Sequence, residues 1–343
     1  MSGPRILVTG ANGQLGSELA EALVARFGSG ALITSDIVAK PCVRGVIHET
    51  LDVTDINALT AVVAKYRITQ VYHLAAALSA TGEQRPLWAW DLNSRGLLNV
   101  LELAREKKLD RVFWPSSIAA FGPTTPKDNS PQHTITEPST VYGVSKLAGE
   151  GWCRWYHRQH GVDVRSLRYP GLISWKTPPG GGTTDYAIEI FRDALQHGRY
   201  TCFLEPDQAL PMMYMEDALR ATIELMEAPS GSIGERGGYN VAGMTFTPAQ
   251  IGAEIVRHIP GFQIDYVPDF RQAIARSWPH SVNDAAARSD WGWSPRFNLS
   301  RMVESMLSNL RDARLDVLTV ITDKSHHFPK SASVKPVWTR PTS

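Results

Sequence analysis

Residues 8–20 read VTGANGQLGSELA and set Gly10, Gly13 and Gly16 between an apolar β-branched run and a helix-forming one. Glycines spaced in this way allow a tight turn, let backbone N–H groups approach a pyrophosphate, and let the following helix pack close to the strand it leaves. The start of that helix adds a partial positive charge. Three glycines alone also suit an ordinary strand-to-helix connection, so the flanks decide. RILVTG is a strand pattern, residues 14–27 carry a helical one, and Asp36 closes the next strand, ALITSD. It stands about 20 residues on, where a carboxylate accepts hydrogen bonds from ribose hydroxyls. A dinucleotide is therefore expected over Gly10, Asn12, Gly13, Gln14, Leu15 and Gly16, with Asp36 at its adenosine end. The charge of Asp36 repels a 2′-phosphate and no arginine directly follows it in TSDIVAK, which favours NAD over NADP. In TLDVTD, Leu51, Asp52 and Val53 end a further strand where an adenine edge is read, while Asp55 equally suits a helix cap.

Outward from this turn, short β-branched runs alternate with helix-period stretches. After RILVTG come a helix over 14–27, ALITSD, VIHETLD, a helix over 56–66, and QVYHLAA. A helix around Trp88 to Lys107, RVFWPSS, a helix through Tyr142 to Gln159, and DVRSLRYPG follow. Such alternation predicts an α/β, doubly wound parallel (Rossmann) sheet covered on both faces. From Gly171 the elements shorten and mix, beginning with the Gly- and Pro-rich TPPGGGTTD, as in insertions that wall a ligand cleft. The expected division is an NAD-binding domain over 1–170 with later returns, a smaller substrate lobe over 171–312, and a weakly ordered tail over 313–343.

Composition narrows the partners. Lys and Arg total 35 against 34 Asp and Glu, so no strong field is available for nucleic acid or an anionic membrane. No segment reaches the roughly 20 apolar residues of a span, and the first residues form a strand pattern rather than a secretory signal. Three scattered cysteines, Cys42, Cys153 and Cys202, suit free thiols in the cytoplasm or a comparable matrix. Cys153, His157 and His160 share helical spacing, but without a carboxylate or second cysteine they read as a helix face, and no metal is expected.

The stretch YGVSKLAGE puts Tyr142 and Lys146 four positions apart, on one helix face. A nearby ammonium favours a phenolate and lowers a tyrosine pKa toward working pH, which makes Tyr142 a candidate general base. The pair follows a strand ending in Ser116 and Ser117 at the carboxyl edge, where doubly wound sheets bind ligands.

Over roughly residues 5–310 these features resemble the extended short-chain dehydrogenase/reductase family, with its glycine turn, catalytic Ser or Thr, and Tyr-x-x-x-Lys. The resemblance implies Ser117, Tyr142 and Lys146 as catalytic groups. Ser116 stays open as an alternative, because Phe121-Gly122 stands where the family has Tyr-Gly. It also implies that Tyr169 and Pro170 shape the nicotinamide pocket, that Leu74, Ala75 and Ala76 line the cofactor, and that Asn93 holds a proton-relaying water. By residue type alone, His73 reads as a satisfied core histidine.

HLAAALSATGE, RYPGLIS, PGGGTTDYA, MMYMEDALRAT, YNVAGMTFTP and SWPHSVNDAAARSDWGW further resemble the short-chain L-threonine 3-dehydrogenases, relatives of sugar-nucleotide epimerases. That likeness implies oxidation of L-threonine, or a similar 3-hydroxy amino acid, to a 2-amino-3-oxo acid, and a homodimer packed through the two long helices. It places substrate on Ser79, Thr81, Gly180, Gly181, Gly182, Thr183, Thr184 and Trp278 under a closing loop. Composition alone reads PPGGGTT as a flexible linker, and Trp291, Trp293 and Met212 to Met215 as packing. Two rivals remain: a sugar-nucleotide epimerase or dehydratase, and a non-catalytic NAD-sensing module.

Overall fold

The apolar run of residues 6–9 is wholly buried and lies near the middle of a six-stranded parallel sheet in the computed structural model, which describes residues 3–177 and 180–325. The chain runs β1 (Ile6–Thr9), α1 (Gln14–Phe27), β2 (Leu32–Asp36), β3 (Ile47–Thr50), α2 (Ile56–Tyr66) and β4 (Gln70–His73). It continues through α3 (Ser79–Gln84), α4 (Pro86–Lys107), β5 (Arg111–Phe113), β6 (Ser116–Ser117), α5 (Val141–His160), β7 (Val164–Arg165) and β8 (Leu167–Tyr169). The strand order β3-β2-β1-β4-β5-β7 reverses direction between β1 and β4, and the crevice outside that switch point is where such sheets take ligands.

Local chemistry explains the boundaries. Asp55 caps α2, accepting the N–H groups of Asn57 and Ala58, as the alternative reading of that residue had it. Pro86 opens α4 at a position where a missing N–H costs nothing. Thr140 caps α5 by accepting from Gly143 N, and Gly161 ends that helix in the left-handed region. Side chains alternate across the sheet with period two. Ile6 and Val8 pack against Leu19 and Leu23 of α1 on one face, and Leu7 and Val71 against α2 and α4 on the other.

The second half supplies β9 (Gly171–Ile173), α6 (Tyr186–His197), β10 (Arg199–Cys202), β11 (Leu210–Tyr214), α7 (Met215–Glu227) and β12 (Tyr239–Asn240). After them come β13 (Met244–Phe246), α8 (Pro248–His258), β14 (Gln263–Tyr266), α9 (Phe270–Ser277), α10 (Ala285–Trp291) and α11 (Leu299–Ser325). A third apolar core gathers α6, α8, β11 and α11 around Phe191, Ile251, Met302 and Met306. Helix α7 instead returns to the main sheet and packs beside α1 through Ala218, Ala221 and Leu225. Met212 to Met215 are buried, and Trp293 is buried with its indole N–H donating to the Ala242 carbonyl at 3.1 Å, so both read as packing.

Three details depart from the sequence reading. RVFWPSS is two strands, because Pro115 has no N–H to continue the ladder; β6 leaves the main sheet and pairs instead with β8, Ser116 opposite Arg168 and Ser117 opposite Tyr169. The short helix α3 follows β4 without a foreseen signal. Helix α11 runs to Ser325, so the backbone over 313–325 is helical where a weakly ordered tail was expected; the rest of that tail, 326–343, and Pro178 and Pro179 lie outside the described residues. Among the described residues no helix is long and apolar enough to cross a membrane.

Candidate active site

At the carboxyl end of β1 the glycine turn is shaped by close approach. Gly10 has φ +67°, and a Cβ there would lie 2.5 Å from the Ala75 amide nitrogen. A Cβ at Gly16 would run into the Gly10 carbonyl and the Ala11 backbone. The turn is tied to β2: Asn12 N donates to Asp36 Oδ2 at 3.0 Å and Val38 N to Asp36 Oδ1 at 3.1 Å. Each carboxylate oxygen keeps a lone pair to offer. A cradle that any Cβ would fill, the uncapped amide end of α1 and an acidic residue beside it together fit a dinucleotide. Farther along, Asp52 accepts from Thr54 N at 2.9 Å, and Leu51 and Val53 are buried beside it.

From this turn a cavity of about 270 Å³ extends across the sheet edge. Its wall passes from Gly10, Gly13, Gln14, Leu15 and Gly16 over Leu74, Ala76 and Ser79 to Ser116, Ser117, Tyr142 and Lys146. Tyr169, Pro170, Gly180, Gly182, Thr183, Thr184 and Trp278 complete it. Asn12, Asp36, Leu51, Asp52, Val53, Ala75, Thr81, Asn93 and Gly181 do not line it. Asn93 is engaged otherwise: its Oδ1 accepts from Ala77 N at 2.8 Å, and its Nδ2 donates to the Ala77 carbonyl and to Ser145 Oγ. Both amide protons are thus used in fastening the turn after β4 to α5.

Three polar groups converge at the middle of the cavity. Ser117 stands near enough to Tyr142 to pull its phenol down, and its Oγ accepts from Ala119 N at 3.1 Å, while Ser116 donates its hydroxyl to Glu150 at 2.7 Å. Between the two serines, Ser117 is therefore the one that faces the tyrosine. Lys146 Nζ donates to the Pro115 carbonyl at 2.6 Å and lies 5.3 Å from the Tyr142 ring centroid. Burial governs both ionisations. It pushes the Tyr142 phenol up to about 12 against a smaller pull from Ser117, and brings the Lys146 ammonium down to about 7. The lowering of Tyr142 expected from the ammonium together with an oxidised nicotinamide is thus not seen in the chain alone, where desolvation dominates the phenol. His73 is buried, donor or acceptor to Thr9 Oγ1 at 2.8 Å, and held neutral by desolvation with a pKa near 3.

Residues 6–242 match the NAD dependent epimerase/dehydratase family. The chain belongs to that family. It is 64% identical to a GalE-like L-threonine dehydrogenase from Cupriavidus necator, solved in holo form, over 90% of this chain and 100% of that one, with a TM-score of 0.89. It is 48% identical over 309 residues to the mitochondrial L-threonine 3-dehydrogenase of Sus scrofa, 89% of this chain and 82% of that protein. An uncharacterized epimerase/dehydratase of Staphylococcus haemolyticus is also 48% identical, covering 90% of this chain and 98% of its own.

Against this family background, the cavity adds residues that the sequence did not single out. Leu78, Pro115, Ile118, Leu172 and Asp185 also line it. Asp185 is the consequential one: its Oδ2 accepts from Gly181 N at 2.7 Å and Gly182 N at 2.6 Å. Two amides of the loop on which the resemblance places substrate are thus already satisfied from within the chain. An acid just after a glycine run and just before a helix was the available signal. A larger, shallower depression of about 1120 Å³ lies at the opposite, amino edge of the sheet, around Arg5, Tyr66 and Asp110. Arg5 there donates to the Tyr66 and Gly30 carbonyls and Arg111 to that of Met226, and Ser117, Tyr142 and Lys146 all lie at the smaller cavity.

Proposed function

We propose that this chain is an NAD-dependent L-threonine 3-dehydrogenase, oxidising the 3-hydroxyl of threonine to give 2-amino-3-oxobutyrate. The observation that carries the reading is the meeting of Ser117, Tyr142 and Lys146 in one cavity with the glycine turn, in a chain 64% identical to a threonine dehydrogenase. Gly10, Gly13 and Gly16 hold the pyrophosphate, and Asp36 holds the adenosine ribose. When bound, the oxidised nicotinamide supplies a hydride acceptor for C3 and a positive charge that favours tyrosinate.

Ser117 and Tyr142 grip the substrate hydroxyl, and Tyr142 Oη takes its proton as C3 gains carbonyl character. Lys146, beside the Tyr142 ring, would donate to the nicotinamide ribose and, in its protonated form, would stabilise the tyrosinate. Ser79, Thr183, Thr184 and Trp278 close the substrate end, and Gly180 to Gly182 shape the loop above it; Thr81, outside the cavity wall, takes no part. Positioning and pKa tuning account for the protein's share of catalysis.

The same reading extends to assembly and place. Trp152 and Trp155, three apart on α5 and in contact, are 42% and 43% exposed, an aromatic patch suited to a homodimer. Three free thiols suit the cytoplasm. NADH formation from NAD⁺ and L-threonine tests the assignment and supports it if seen; a UDP-sugar converted with no net NADH, followed by chromatography, while threonine is not oxidised, replaces it with an epimerase or dehydratase.

A further inference from the structure

Helix α5 meets the strand beside it at three levels, one helical turn apart. Tyr142 and Ser117 line the same cavity wall, Lys146 donates to the Pro115 carbonyl, and Glu150 Oε1 accepts from Ser116 Oγ at 2.7 Å. Positions four apart share a helix face, so residues 142, 146 and 150 form one column against residues 115–117. The first two levels belong to the site already described. The third has been given no role.

Glu150 is fully buried. Besides Ser116 it receives Arg168 of β8, Nε to Oε1 and Nη2 to Oε2, each at 2.7 Å. Arg154 Nη1 stands 3.6 Å from Oε2. Arg168 also donates to Asn240 Oδ1 on β12 at 3.0 Å and to the Gln132 carbonyl at 2.9 Å. One carboxylate therefore binds β6, β8 and β12 to the helix that carries Tyr142 and Lys146. A buried ion pair is a poor device for stability, since apolar packing of the same volume often does as well or better. Its location gives it another use. Successive strand residues point to opposite faces, so whatever fixes Ser116 also fixes the backbone from which Ser117 projects, its hydroxyl there accepting from Ala119 N at 3.1 Å.

We infer that Glu150, acting through Ser116 and Arg168, is a positioning residue that sets the Ser117 hydroxyl against Tyr142 for proton transfer. The inference rests on the function proposed above. It is tested with Ser116→Ala and Glu150→Gln beside Tyr142→Phe, by steady-state kinetics with L-threonine and its 3-deuterated form, NADH binding by fluorescence, and melting temperature. Both variants are expected to bind NADH normally and keep KM for threonine within about twofold. Their kcat should fall about tenfold and the primary isotope effect on kcat should rise, because a misplaced acid–base pair slows chemistry rather than binding.

A purely structural Glu150 would lower the melting temperature but leave kcat per NADH-binding site and the isotope effect unchanged, and that result overturns the inference. Ser116→Ala removes a single hydroxyl and leaves the ion pair, so it decides the matter even if Glu150→Gln does not fold. Loss of activity in Tyr142→Phe with none in Ser116→Ala removes this inference alone. An unaltered chain inactive on threonine, or a fully active Tyr142→Phe, brings down the proposed reaction and the inference together.

Discussion

Lys146 and Tyr142 face one cavity with opposite shifts, the ammonium brought down to about 7 and the phenol pushed up to about 12, each mainly by burial. The lysine shift has a consequence for stability. Between about 7 and its ordinary 10.5, the unfolded chain carries a proton on this side chain that the folded chain does not. Stability therefore rises with pH across that window and the burial penalty is complete below it. Relative to Lys146→Met, the unaltered chain should lose melting temperature as the pH falls from about 10 to 7; parallel curves would contradict burial as the cause. For Tyr142→Phe the proposed base chemistry predicts a loss of about 10²- to 10⁴-fold in kcat with NADH binding retained. Gly16→Ala should instead abolish cofactor binding, since its Cβ meets the Gly10 carbonyl and backbone cannot withdraw as a side chain can.

At the scale of elements, the glycine loop and its acid make a second test. Asp185→Ala removes the carboxylate that fastens the Gly181 and Gly182 amides, and KM for threonine should rise on the order of tenfold, because a loop no longer held in place must be ordered on binding. A fall in kcat at constant KM would place Asp185 in the chemistry instead. The elements themselves were legible to different degrees. Helices α1 and α2 were readable to the residue, because a glycine turn and the Asp55 cap mark their starts. The parallel sheet followed from alternation alone. The departure of β6 from the sheet was written in Pro115, but its new partner β8 is distant in sequence and leaves no local mark. Similarly, Tyr142 and Lys146 could be singled out by spacing and Ser117 only through the family resemblance, whereas the burial that sets the ionisation of the tyrosine and the lysine depends on the whole fold. The partners of Glu150 and Asp185 emerge only when strands and loops are brought together.

At the scale of the molecule, three apolar cores surround one sheet edge, and the cavity lies where the glycine turn, α5 and the segment before α6 meet. The outer face of α5 is left aromatic, with Trp152 and Trp155 in edge contact at 5.8 Å. Replacing both by glutamate should convert the proposed dimer to a monomer in light scattering, with the melting curve little changed; an unaltered mass would direct attention to another surface. The central claim, that this cavity oxidises threonine with Tyr142 as base, is reached most directly by NADH absorbance with purified protein, NAD⁺ and L-threonine at mildly alkaline pH, beside Tyr142→Phe. Steady NADH formation that collapses in the variant is the predicted result. No NADH from threonine, or equal rates in the two proteins, would contradict it.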